Sequence, residues 1–391
     1  MKILVVLPRF PYPLEKGDKL RAFHQIRLMS ANNDIYLFCI SHTKVANEWY
    51  NAMRPYCKEI VIAHPSKLVS YANTVRNILT SKPLQLGYWY SNKARQLYRQ
   101  FEKRVQPDVV YCQMVRTMPI VQGSNAPKVI DFQDALSMNT QRRMESTRNI
   151  LLRSALRYEY KALCKAEHLA CDLFDRQTII AETDRDAILH KNNSNIVIVP
   201  NGVDTKHFAP TNIQKKYDIL FCGNMQYAPN IDAARYLIEQ VLPRVKVVLT
   251  SVKVLIAGAS PAASVRNLAS EEVTISGWVD DMRQCYAQSR LFVAPMRIGS
   301  GLQNKLLEAM AMNLPCITTD IANASLKATD GQEILVGNDP QTLAKHIVTL
   351  LQNEPQSRLL ATAGHNFVIK NYSWEAATAK LEQTLINAAQ K

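Results

Sequence analysis

Residues 291–312 read Leu291-Phe292-Val293-Ala294-Pro295-Met296-Arg297-Ile298-Gly299-Ser300-Gly301-Leu302-Gln303-Asn304-Lys305-Leu306-Leu307-Glu308-Ala309-Met310-Ala311-Met312. The run up to Pro295 is an apolar strand candidate, the glycines make a turn, and Leu302, Leu306, Ala309 and Met310 then recur on one side of a helix. Such a strand, turn and helix present backbone N–H groups to an anion at the helix N-terminus. Lys305 and Glu308 stand three residues apart and project from neighbouring points of the first turns. A cation suits a phosphate and a carboxylate suits a pair of sugar hydroxyls, each charged hydrogen bond contributing about 1.5–3 kcal/mol. The same spacing also describes an ordinary strand and helix with a solvated Lys and Glu, so the decision rests on the rest of the chain.

Two domains are the expectation for 391 residues, of which 47% are hydrophobic and 20% charged. The opening run Ile3–Leu7, stopped by Pro8, is too short for the core of a secretion signal, and no long uncharged apolar window suggests a membrane span. The expected location is the cytoplasm, peripheral on the inner face of the cytoplasmic membrane. Eight scattered cysteines, without a Cys-x-x-Cys pair or a histidine at ligand spacing, read as small buried hydrophobes and not as a metal site. The net charge of +14 is uneven: residues 1–200 hold 29 Lys and Arg against 17 Asp and Glu, a net of +12, leaving +2 for the remainder. Nucleic acid, an anionic membrane or a phosphorylated substrate would each satisfy that field.

In the first half, short runs rich in Val and Ile (3–7, 35–40, 59–63, 109–112, 128–132, 178–181 and 196–199) alternate with helical stretches. Continuous apolar runs predict parallel strands covered on both faces, hence one doubly wound α/β domain. The loop 11–21 leaves the first strand at the edge where such sheets bind ligands. There Gly17 permits close backbone approach, and Lys19 and Arg21 bring positive charge. One long helix is predicted from Ser137 to about Leu169, with Arg153, Arg157, Lys161 and Lys165 on a shared face. Residues 67–104 add eight basic residues against Glu102 alone, interleaved with aromatics such as Tyr71, Tyr88, Trp89 and Tyr98. Solvated helix faces explain both segments, and so does contact with an anionic membrane surface.

Pro200-Asn201-Gly202-Val203-Asp204 is turn chemistry after a strand and marks the boundary between domains at 1–200 and 201–370. A second series of strands and helices follows, with strands at 217–222, 253–257, 273–276, 291–294 and 316–319. Two doubly wound, Rossmann-like domains with a cleft between them are expected, and a C-terminal helix within 371–391 is expected to return to the first domain.

With both halves laid out, the chain resembles family 4 of the retaining glycosyltransferases, which have the two-domain GT-B fold. The resemblance spans nearly the whole length. It is carried by Pro200–Asp204 with Phe208, by Phe221-Cys222-Gly223-Asn224-Met225 with Pro229–Ala234, by Ser276-Gly277-Trp278-Val279-Asp280-Asp281, by Ala294–Met312, and by Tyr372-Ser373-Trp374-Glu375. It is similar above all to bacterial sugar transferases of exopolysaccharide or cell-surface glycan assembly.

The resemblance implies a nucleotide-sugar donor held by the second domain and a glycan or lipid-linked acceptor held by the first. Glu308 matches the second carboxylate of the family's Glu-x7-Glu motif, which binds the ribose hydroxyls, whereas the first is replaced by Ser300. Backbone N–H groups of Gly301 and Leu302 are then expected on the sugar or diphosphate, with Lys305 and Arg297 supplying charge. Gly223 and Asn224 are expected at the donor site, although the Arg/Lys pair that many members carry after this strand has no clear match in residues 223–227, and Gly277, Trp278 and Val279 match the loop that cups the nucleobase. A histidine of many relatives is Gln133 here, within Asp131-Phe132-Gln133-Asp134, so either aspartate is a candidate to orient the acceptor hydroxyl. The candidate catalytic set is thus Lys305, Glu308, Asp131 and Asp134. No cofactor is expected, and the reaction is expected to need no metal, the helix N-terminus and Lys305 meeting the leaving-group charge. A nucleotide-sugar epimerase on the same fold is the alternative. A nucleic-acid binder is disfavoured, because no helix-turn-helix, RNP or zinc pattern accompanies the dispersed charge.

Overall fold

Strand β1 (Lys2–Leu7) shows why the first sheet reads as unbroken apolar runs. Leu4 and Val6 enter the core on one face of the sheet, while Ile3, Val5 and Leu7 enter the core on the other. Each such buried side chain contributes about 1.5–3 kcal/mol. The computed structural model describes residues 1–14, 16–147, 149–298 and 302–390. It divides into two compact units, Met1–Asn201 with the segment from Ala377, and Gly202–Ala376.

In the first unit β1 is joined by β2 (Asp34–Ile40), β3 (Glu59–Ala63), β4 (Val109–Gln113), β5 (Lys128–Asp131), β6 (Arg176–Ile179) and β7 (Val197–Ile198). All pair in parallel, in the order β3-β2-β1-β4-β5-β6-β7. The chain reverses direction across the sheet between β1 and β4, the place where doubly wound sheets open a crevice at their carboxyl ends. The C-terminal helix Trp374–Ala389 brings Ala377, Leu381, Leu385 and Ala388 into the core beside Ile3, Val5, Ile26 and Met29.

The second unit repeats the arrangement with β8 (Tyr217–Cys222), β9 (Val254–Ala257), β10 (Val273–Gly277), β11 (Ser289–Ala294), β12 (Cys316–Thr318) and β13 (Leu335–Val336). Its parallel order is β10-β9-β8-β11-β12-β13, which puts the switch point between β8 and β11.

One expectation fails in the first unit. The single helix predicted from Ser137 to Leu169 is two helices, Leu136–Ser146 and Ile150–Leu173, folded against each other. Thr147 turns extended, and the Asn149 side chain accepts the Leu152 N–H as an N-cap, so a second helix begins there.

Candidate active site

In the second unit the carboxyl ends of β8 and β11 carry the residues with chemistry. Gly223 follows β8 at φ +154°, and a Cβ there would lie 2.6 Å from the Asn230 side-chain nitrogen. Gly258, which follows β9, lies so close that its own Cβ would fall 1.8 Å from the Gly223 carbonyl oxygen. These two positions accept only glycine, and they let the loop after β8 fold down over Asn230. Asn230 is buried on helix Ala228–Tyr236; its Nδ2 donates to the Asn224 carbonyl at 3.0 Å and its Oδ1 accepts from Lys305 Nζ at 2.5 Å.

Lys305 and Glu308 both lie on helix Asn304–Ala311, which follows β11. The Lys305 ammonium also sits 4.9 Å from the Phe221 ring centroid. Burial lowers its pKa below the ordinary lysine value, opposed by the neighbouring Cys222 and Glu308. Burial likewise raises the Glu308 carboxyl to about 7, while the bond from Tyr286 and the Lys305 charge pull it down. Tyr286 Oη donates to Glu308 Oε2 at 2.7 Å and lies 3.1 Å from Cys222 Sγ. The fully buried Tyr286 therefore fixes one carboxylate oxygen, and Asn230 fixes the ammonium. A held cation and a held carboxylate, one helical turn apart, can bind a phosphate and a diol at once.

Other expected donor residues stand as follows. Arg297 makes a bidentate pair with Asp232 at 2.6 and 3.0 Å and lies 4.3 Å from the Tyr236 ring centroid. Its guanidinium is thus already engaged and is not free charge for a diphosphate. Gly277 ends β10 and accepts the Gly258 N–H at 3.1 Å, Val279 packs on the core, and the exposed Trp278 indole donates to Asp280 at 2.9 Å. Leu302 packs partly buried on the same core, while Ser300 and Gly301 lie outside the described residues. Asn224 turns its side chain to the Gln226 N–H at 2.9 Å. Asn230 and Tyr286 were not legible as site residues; only the glycine at position 223 hinted at a close neighbour.

In the first unit the structure separates the two aspartates. Asp131 is fully buried: Oδ2 accepts from Arg21 Nε at 2.6 Å and from Tyr111 Oη at 2.9 Å, and Oδ1 accepts from the Gln133 N–H at 3.2 Å. Arg21, equally buried, also donates to the Val199 and Pro200 carbonyls and to Asn201 Oδ1 at 2.9–3.1 Å. Burial disfavours its charge, and the Asp131 carboxylate more than offsets that, leaving its pKa raised. Both expectations here are corrected. Arg21 brings no charge to the loop 11–21, and Asp131 does not face a ligand; each neutralises the other inside the sheet's edge. Lys19 reaches the Tyr12 carbonyl at 3.3 Å and the Trp49 ring, and Gly17 is the exposed first residue of helix Gly17–Met29.

Asp134 is different. It is partly exposed just past β5, and burial together with the nearby Asp184 charge raises its carboxyl to about 6. Asp184 Oδ1 is occupied by the Ala135 N–H at 3.0 Å. Gln133, at φ +62°, is buried and donates to Gln113 Oε1 at 3.0 Å, part of a polar network running through Gln25 to Tyr111. Of the two aspartates only Asp134 is partly exposed.

One cluster of histidines stands apart from the cysteines. His168, Asp172 and His190 of the first unit bring their ligand atoms within 4.8 Å of one another. His190 Nδ1 accepts the Asn192 N–H at 3.2 Å, which leaves its Nε2–H to donate to Asp172 at 3.1 Å, so the arrangement is a hydrogen-bonded one.

Residues 216–353 match the family described as "Glycosyl transferases group 1". The chain is 21% identical over 388 residues to a 44.6 kDa protein of the cps region of Klebsiella pneumoniae, covering 95% of this chain and 96% of that one. Among solved structures, Anabaena HepE in complex with UDP superposes with a TM-score of 0.67 at 12% identity, covering 99% of this chain and 100% of that one. S. aureus TarM gives 0.67 at 14% identity, covering 100% and 99%. The chain is a glycosyltransferase on the GT-B fold, with a group 1 glycosyltransferase domain in residues 216–353.

Proposed function

We propose that the enzyme moves a sugar, with retention at the anomeric carbon, from a nucleoside diphosphate sugar to a glycan or lipid-linked acceptor in bacterial surface polysaccharide assembly. The observation that carries this reading is the set Asn230, Tyr286, Lys305 and Glu308, gathered at the carboxyl ends of β8 and β11 within the segment that matches the group 1 domain. The UDP bound by HepE and the cps region that holds the Klebsiella relative support the choice of donor and pathway class.

In this reading the Glu308 carboxylate accepts the ribose hydroxyls. As the glycosidic bond breaks, its electron pair passes to the diphosphate, and Lys305 with the N-terminus of helix Asn304–Ala311, worth about half an elementary charge, stabilises it. We assign the leaving-group charge to these groups and not to a metal. The acceptor hydroxyl, oriented by Asp134, attacks from the same face and gives its proton to the departing phosphate oxygen.

The test is sugar transfer from a panel of nucleoside diphosphate sugars, read by mass spectrometry. Lys305→Ala and Glu308→Ala are each expected to lower transfer by about 10- to 150-fold, the loss of one charged hydrogen-bonding group. Full transfer in both variants would show that the site is elsewhere. An epimerised sugar formed from donor alone would replace the transferase reading with the epimerase one.

A further inference from the structure

Helix Lys67–Leu79 of the first unit is packed inside out. Its inward side is polar: Ser70 bonds His42 at 3.0 Å, Asn73 Nδ2 donates to the Tyr90 carbonyl at 2.9 Å, and Asn77 Nδ2 donates to the Pro83 carbonyl at 2.7 Å. The seat is close, since a Cβ on Gly87 would fall 2.6 Å from the Asn73 carbonyl oxygen. Its outward side is apolar. Leu68, Tyr71, Val75 and Leu79, at helical spacing, are 81%, 59%, 60% and 83% exposed, and Ile78 lies beside them. An amphipathic helix normally buries the opposite side, so this face is held toward a partner.

Two neighbours extend the surface. Tyr158 Oη donates to the Asn77 carbonyl at 2.8 Å and ties helix Ile150–Leu173 to this helix; two turns earlier, Ile150 and Leu151 are also exposed. Under the polar side of helix Lys67–Leu79 lies a cavity of about 350 Å³ whose lining includes Arg76, Lys82, Arg95 and Lys165 and no carboxylate. Arg95 Nε is buried there and finds no hydrogen-bond partner among the described residues, although its Nη2 donates to the Gln122 carbonyl at 2.8 Å. An apolar face beside four cations, with no carboxylate among the described residues of the cavity's lining, matches the two layers of an anionic bilayer surface, acyl chains and phosphate headgroups. A protein partner would have to reproduce both layers; an anionic leaflet has them already.

We infer that the apolar face of helix Lys67–Leu79, with Ile150 and Leu151, inserts into an anionic phospholipid leaflet while the cavity lined by Arg76, Lys82, Arg95 and Lys165 takes a lipid phosphate. Among the described residues no helix is long and apolar enough to cross a membrane, and this surface is one that lies on it.

The experiment is flotation of the full chain with vesicles of phosphatidylcholine alone and of phosphatidylcholine mixed with phosphatidylglycerol. Wild type is compared with Val75→Asp/Leu79→Asp and with Arg76→Glu/Lys82→Glu, all solvent-facing substitutions whose folding is checked by circular dichroism and thermal midpoint. Each Lys or Arg at an anionic leaflet strengthens binding roughly fivefold. Wild type is therefore expected to float at least about tenfold better on the anionic vesicles, and each double variant to lose about tenfold or more. Equal flotation on neutral and anionic vesicles, none on either, or loss confined to one variant overturns the proposal. Calorimetric binding of glycerol phosphate without flotation would make the cavity a site for a soluble ligand, and overturns it too.

Discussion

The contrast between Asp131 and Asp134 gives the sharpest prediction. Asp131→Asn keeps the shape of the side chain and removes its charge, leaving the buried Arg21 guanidinium with only the neutral acceptors of Val199, Pro200 and Asn201. Breaking a buried ion pair from one side costs about 3–5 kcal/mol, a large fraction of a domain's usual 5–15 kcal/mol. For a unit of this size that is a fall of roughly 6–20 °C in thermal midpoint. Asp134→Asn removes a partly exposed carboxyl held up at about 6 by burial and by Asp184, so the folded state is expected to be as stable or more stable above pH 6. Its effect is expected on transfer: a loss of about 10- to 150-fold, that of one charged hydrogen bond, and, beyond the fall near pH 7 that Glu308 gives both proteins, a further fall in wild type alone as pH drops through about 6, where the Asp134 carboxylate is protonated. The assay pairs thermal melts with transfer rates between pH 5 and 8. An Asp131→Asn protein that melts like wild type yet does not transfer sugar, or an Asp134→Asn protein that transfers normally, would refute the division of roles.

Three further outcomes follow from the packing. Glu167 is buried with its Oε2 unpartnered, and burial raises its carboxyl to about 7 against the bond from the Ser137 N–H. Because its folded pKa exceeds the unfolded 4.5, the stability it contributes is complete below pH 4.5 and is lost as pH rises through 7. Glu167→Gln is expected to flatten that decline by up to about 3 kcal/mol in urea melts at pH 5 and 8. Gly223→Ala places a Cβ 2.6 Å from the Asn230 amide, so nucleotide affinity is expected to fall, measured by calorimetry, with a stability loss of about 1–3 kcal/mol. Leu385→Ala empties a fully buried position of the C-terminal helix and is expected to cost about 2–5 kcal/mol in the first unit's unfolding transition.

The two sheets were legible because the parts of a strand covered on both faces are continuous apolar runs, as residues 3–7 of β1, 219–222 of β8 and 291–294 of β11 are. The two-residue β13 was not, since Leu335 and Val336 are too few to make a pattern. The break between the two helices was hidden because the basic periodicity read there, from Arg153 to Lys165, lies wholly within the second of them. Lys305 and Glu308 were legible from their spacing on one helix. Asn230 and Tyr286 hold them from 75 and 22 residues away, and local sequence carries no trace of such partners. Arg21 misled for the same reason: a cation in a loop-like context reads as free charge unless its counter-ion, 110 residues on, is known.

The central claim is that the second unit holds a nucleoside diphosphate against Lys305 and Glu308. It is tested most directly by thermal melts of wild type and Glu308→Ala with UDP, GDP, ADP, CMP and dTDP in turn. A ligand at about 100 times its dissociation constant stabilises the native state by about 2.7 kcal/mol. One diphosphate is expected to raise the wild-type midpoint by several degrees and to leave the variant's unchanged. A shift of equal size in both proteins, or none in wild type with any nucleotide, would contradict the assignment.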